Sequence, residues 1–151
     1  MLKEVLIDIY KRDLDKLKSE IEQYANEADI WKTDPGIANS GGNLCLHLSG
    51  NLQHFVGAVL GRSGYVRDRD AEFSSADITR SRLLTDIDST IAVVIETLEK
   101  LTDEALAKNY PIEVFGQPMT TGFFLTHLAT HFNYHLGQIN YHRRLLSEPR
   151  T

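Results

Sequence analysis

Thr120–Leu146 reads TTGFFLTHLATHFNYHLGQINYHRRLL, and the reading of this stretch decides the fold. Phe124, Leu128, Ile139 and Leu146 recur at the spacing of a long amphipathic helix, with about 3.6 residues per turn. Pro118, followed by Thr120 or Thr121, marks its start. His127, His131, His135 and His142 fall within an arc of about 80° when each residue is advanced by about 100°. The apolar residues project into that arc or beside it, while Thr126, Asn133, Asn140 and Arg144 project elsewhere. The imidazole stripe therefore overlaps the buried face.

Three more helical stretches lie upstream. The first runs from Leu2 to Ala25, with Val5, Ile9, Leu14, Leu17, Ile21 and Tyr24 at helical spacing among charged residues. Asp34-Pro35-Gly36 and then Asn39–Gly42 mark a loop. The second stretch runs from about Asn43 to Leu60, with Gly61 as a stop. The third runs from about Ala76 to Leu101, its stripe formed by Ile87, Ile91, Val94, Ile95 and Leu98. Between Tyr110 and Met119 the pattern changes, and Pro111, Ile112 and Val114 suggest a small hairpin turning at Phe115-Gly116-Gln117. The fold class is an all-α four-helix bundle, in a single domain spanning 1–151.

The connection between the second and third stretches, about Gly61 to Ser75, is long for neighbours in a bundle, whose loops usually take about 2–8 residues. The second helix would be about 27 Å long at about 1.5 Å per residue, and a loop of this length can run back along all of it. That permits the second and third helices to run parallel, giving an up-down-down-up order.

Composition excludes some functions. The net charge of −5 over 151 residues argues against a broad nucleic-acid footprint and against an anionic membrane surface. No apolar run approaches the roughly 18 residues of a membrane span, and the charged first helix does not read as a signal peptide. The single cysteine, Cys45, cannot form an internal disulfide. A cytoplasmic protein is expected.

All six histidines lie in two stretches, with His47 and His54 in the second. Those two share a face with Asn51 and Ala58. A single buried histidine is usually a hydrogen-bonded core residue, but several imidazoles on one buried face need a shared reason. A divalent metal ion supplies one. The i,i+4 pair His131–His135 sets two ring nitrogens one turn apart, and a third ligand from a facing helix would leave a position open for water or substrate. Helical spacing alone does not choose between His47 and His54. His54, His127 and His142 read as supporting or structural residues, since such a site has no room for all six. Cys45 projects about 200° away from His47 and reads as a small buried residue. Tyr10 and Trp31 read as core or interface residues. Tyr134 stands just before the second histidine of the pair, so the metalloprotease signature is absent.

The run His131-Phe-Asn-Tyr-His135-Leu-Gly-Gln138-Ile139 resembles the two histidines and Gly-Gln-Ile tail of the DinB/YfiT-like superfamily. Leu46-His47-Leu48-Ser49-Gly50-Asn51-Leu52 resembles the segment carrying that family's first metal ligand. The resemblance extends over almost the whole chain, although Leu136 stands where many members have arginine. It implies an up-down-down-up bundle, a divalent ion (zinc or nickel) held by His47, His131 and His135, and frequent homodimers. Some relatives are transferases or isomerases that use low-molecular-weight thiols. The DNA polymerase that shares the name is a different protein.

The expected function is therefore that of a metal-dependent transferase acting on a small molecule with a low-molecular-weight thiol. The alternatives are a metal-dependent hydrolase and a non-enzymatic metal-binding stress or interaction protein. No residue is assigned a catalytic role. Within Tyr65–Phe73, Arg67 or Arg69 is expected near His47, able to bind an anionic substrate group, and Glu72 is one of the acids that could support the site. Gln138 and Asn51, each one turn from a histidine of the site, are expected either to support it or to pack between helices, and His54 is the third supporting candidate. Neither nucleic acid nor membrane is an expected partner.

Overall fold

A computed structural model describes residues 1–147. Four long elements carry the apolar stripes: α1 (Leu2–Gln23), α2 (Gly41–Leu52), α4 (Arg80–Lys100) and α6 (Thr121–Leu146). Two short helices, α3 (Arg69–Ser74) and α5 (Asp103–Ala107), lie in the connections, and a 3-10 turn covers Glu27–Trp31. Leu14, Leu17, Leu48, Leu83, Ile87 and Ile139 are fully buried where the long helices meet. No described helix is long and apolar enough to cross a membrane.

Side-chain pairs fix the helix directions. α1 and α4 are antiparallel, because Lys3 donates to the Glu99 carbonyl at one end and Lys18 pairs with Asp88 further along. α1 and α6 are parallel, with the Tyr10 hydroxyl on the Leu125 carbonyl and Arg143 on Glu20. α2 and α6 are antiparallel, with Gly41 near His142 and Phe55 against Phe124. α2 and α4 are parallel: Gln53 donates to Thr90, Gly57 lies on Val93, and Gly61 lies on Thr97. The order is up-down-down-up, and the 61–75 segment makes the crossover that a parallel pair requires.

That crossover is not bare loop. Asp68 caps α3 by accepting from the Ala71 amide at 3.0 Å. Asn43, in the first turn of α2, donates to the carbonyls of Glu72 and Ser75 at 3.0 and 2.8 Å. These bonds clamp α3 onto the start of α2.

Several boundaries differ from the sequence reading. The second stretch is α-helical only to Leu52, and Gln53–Ala58 forms a π turn. Val59 donates there to the His54 carbonyl and Gly61 to that of Val56, while the Phe55 carbonyl takes the Tyr110 hydroxyl at 2.6 Å. α4 starts at Arg80 rather than near Ala76, because Asp77 sits at φ 60°, a left-handed conformation that helices exclude. The hairpin before α6 narrows to one antiparallel bridge, Asn109–Thr120, with no strand among the described residues. Gly116, at φ 77°, makes the turn expected at Phe115–Gln117.

Candidate metal centre

Three imidazoles meet between α2 and α6. His47, His131 and His135 each present one ring nitrogen, and these nitrogens lie within 4.8 Å of one another. The ring centroids are 4.6–5.1 Å apart, and the rings stand nearly perpendicular, at 75°, 88° and 82°. Dispersion alone does not require three edge-on imidazoles with their nitrogens turned inward.

The outer nitrogens explain the orientation. His47 Nδ1 lies 3.0 Å from Glu72 Oε1. Arg67 grips the same carboxylate with two hydrogen bonds of 2.8 Å, Nε to Oε2 and Nη2 to Oε1. A proton on Nδ1, donated to Glu72, leaves the Nε2 lone pair of His47 facing the cluster. His135 Nδ1 sits 2.7 Å from Gln138 Oε1, with the same consequence for its Nε2. A ligating imidazole characteristically has its far nitrogen held in this way.

His47 Nε2 and His131 Nε2 are 3.2 Å apart, close to the roughly 3.3 Å that tetrahedral coordination with bonds of about 2.0–2.1 Å implies. His131 Nδ1 is buried and has no partner among the described residues. Two of the three rings have the far nitrogen held and His131 does not; the convergence of the three nitrogens is what fits a divalent ion. The electrostatics fit as well. Burial, then repulsion from His135 and His47, pushes His131 down to about 4, and burial lowers His135 too. Both rings are neutral near pH 7, with lone pairs free. Burial alone would raise the Glu72 carboxyl, but hydrogen bonds from Arg67 and His47 outweigh it and hold the group below its usual range.

A cavity of about 500 Å³ opens beside the cluster. Phe55, Phe73, Phe115 and Phe124 supply apolar wall, and Asn39, Asn51, Arg67 and Arg69 supply polar groups. Arg67, Arg69 and Asn51 all line it. His127 lines it as well, stacked on Phe124. His54 lies on the π turn against Phe55, outside the three-imidazole cluster. His142 is further away, between the Tyr24 hydroxyl and the Lys32 carbonyl. Cys45 is fully buried, and burial raises its thiol well above the usual range.

Sequence reasoning missed the aromatic walls and the role of Gly50. A Cβ at Gly50 would sit 2.0 Å from Glu72 Oε2, so the absence of a side chain is what admits Glu72. The available signal was a glycine inside a helix, three residues after a candidate ligand.

Residues 3–150 match the family model described as "Protein of unknown function (DUF1572)". Among solved structures, the chain is similar to a DinB-like protein from Bacillus cereus ATCC 10987, with a TM-score of 0.72 and 18% identity. The match covers 98% of this chain and 96% of that chain. At this identity the likeness bears on the fold. No curated protein matches the chain.

Proposed function

The chain belongs to DUF1572, a DinB-like family, and on that premise we propose that His47, His131 and His135 hold one divalent ion for a thiol-dependent transfer reaction. The observation carrying this reading is the convergence of three imidazoles within 4.8 Å. Zinc and nickel both suit three imidazole ligands. The ion would supply a Lewis acid able to keep a low-molecular-weight thiol deprotonated at neutral pH.

The chain's own residues do the rest. Glu72 accepts the His47 Nδ1 proton and fixes that ring, while Arg67 fixes Glu72. Gln138 does the same for His135. The phenylalanine walls offer apolar surface to the space where thiol and electrophile would meet. A hydrolase would instead need a free base for water. No carboxylate is among the described residues lining the cavity, and Glu72 beside it is engaged by Arg67 and His47. Among the described lining residues outside the three ligands, His127 is the side chain left to serve as that base, whereas a metal-held thiol needs none; we prefer the thiol on that ground.

Metal analysis tests the site. Protein purified without chelator and supplied with zinc or nickel should carry close to one ion per chain. His47→Ala, His131→Ala and His135→Ala should each lose it, whereas Cys45→Ser should not. His54→Ala should weaken binding by no more than about 10–100-fold. Full-strength binding by His47→Ala in isothermal titration would reverse the ligand assignment. A panel of glutathione, bacillithiol and mycothiol with a generic electrophile tests the reaction. No turnover with any of them would refute the transferase.

A further inference from the structure

We propose that the cavity beside the imidazoles takes a small ligand with an apolar body and an oxyanion, carboxylate or phosphate, bound by Arg69. The inference rests on the reading of this cavity as the substrate site and adds the ligand's chemical class.

The two arginines that reach the cavity are not equivalent. The guanidinium of Arg67 is committed: it gives two bonds of 2.8 Å to Glu72, which cancels its charge. Its side chain is only 11% exposed, so it works as internal framework. Arg69 has no carboxylate partner among the described residues. Its guanidinium lies 5.2 Å from the centroid of Phe73, and Phe73 packs at 4.9 Å against the His47 ring. One aromatic ring thus separates an available cation from the metal-site imidazoles. An arginine stacked on an aromatic face keeps its N–H edge free for a planar oxyanion.

Position and charge agree. Asp68 caps α3 immediately before Arg69, and Asn43 ties the far end of α3 to α2, so the backbone that carries Arg69 is fixed over the cavity. With Arg67 matched by Glu72, Arg69 is the arginine among the described lining residues that has no carboxylate partner. Three neutral imidazoles leave a divalent ion's charge uncancelled as well, so loading would strengthen the pull on an anion. In a chain of net charge −5, this cavity is locally positive, which is the arrangement that concentrates an anionic ligand. Phe55, Phe115 and Phe124 offer the ligand's body an apolar surface, and about 500 Å³ accommodates a small molecule.

Isothermal titration of the zinc-loaded and zinc-stripped protein tests this. The probes are para-mercaptomethyl benzoate, its neutral benzamide, the matching phenylphosphonate, and the sulfur-free pair para-toluate and para-toluamide. Wild type should bind each anion about tenfold more tightly than its neutral partner. Arg69→Gln should bring that ratio near one without changing zinc affinity, and Arg69→Lys should keep part of it. Comparing benzoate with phosphonate identifies the preferred oxyanion. A ratio near one in wild type, a ratio that survives Arg69→Gln, or no binding of any probe overturns the proposal. The sulfur-free pair separates the two readings. If para-toluate is preferred to para-toluamide while the thiols gain nothing, the thiol reading falls and the anion site stands.

Discussion

Replacing Glu72 with alanine would remove the partner of His47 Nδ1 and the carboxylate of Arg67 together. Breaking a buried ion pair from one side costs about 3–5 kcal/mol, and the slight exposure of Arg67 places this pair at the lower end. Glu72→Gln separates the effects, since it keeps the shape and one acceptor oxygen but loses the charge. Zinc affinity, measured by competition with a chromophoric chelator, should fall about 10–100-fold in Glu72→Gln, with a smaller loss of stability than in Glu72→Ala. Unchanged zinc affinity in both variants would show that Glu72 only braces the crossover. The sequence left Glu72 as one of several acids in Tyr65–Phe73. Its contact with His47 spans 25 positions in the chain, and no helical spacing rule reaches across a loop. The choice between His47 and His54 was closed to spacing for a related reason. Both lie on one face, and only the height of α6 beside α2 separates them.

Glycines in the long helices give a test at the level of the element. Gly50 lies inside α2, where alanine would be the better helix former by about 1 kcal/mol, yet its missing Cβ leaves the space that Glu72 occupies. Arg67 and His47 hold that carboxylate, so it cannot swing away cheaply. Gly50→Ala should therefore cost about 1–3 kcal/mol and weaken zinc binding. Gly137, on the exposed side of α6, has nothing within 4 Å of where a Cβ would be. Gly137→Ala should stabilise the protein by about 0.5–1 kcal/mol. Denaturant unfolding of the two variants side by side would show the opposite signs, and equal signs would refute the packing argument. At this scale the sequence was most informative for long periodic segments. The four main helices and the crossover could be read because apolar stripes and loop length are averages over many residues. α3 and α5 were not foreseen, since six and five residues are too few for a period to show. The π turn and the left-handed Asp77 are local backbone choices that side-chain patterns do not encode.

The molecule as a whole should be sensitive to acid in its metal-free form. His142 is buried between the Tyr24 hydroxyl at 2.7 Å and the Lys32 carbonyl at 2.8 Å, an arrangement that uses a neutral ring as donor and acceptor at once. Burial lowers its pKa, and burial lowers those of His54, His131 and His135 too. An unfolded chain takes up protons at these positions below about pH 6.5, whereas the folded chain resists until its depressed values are reached. The stability they contribute is thus complete above about pH 6.5 and is lost as pH falls toward the folded values, about 4 in the case of His131. The free energy of unfolding of zinc-stripped protein should be flat above neutrality and fall between pH 6.5 and 5, roughly the span named by the unperturbed imidazole value. His142→Gln offers an amide N–H to Lys32 and a carbonyl to Tyr24, and it should flatten part of that slope. Stability that stays level or rises across the span would contradict this. The placement of the cluster also bears on the order of assembly. His47 and His131 are 84 residues apart, on helices that flank the whole crossover and α4. A growing chain cannot present all three rings until α6 has been made and has docked. Ion capture would come last and act as a latch on a completed fold, adding about 4 kcal/mol when free ion stands near a thousandfold above its dissociation constant.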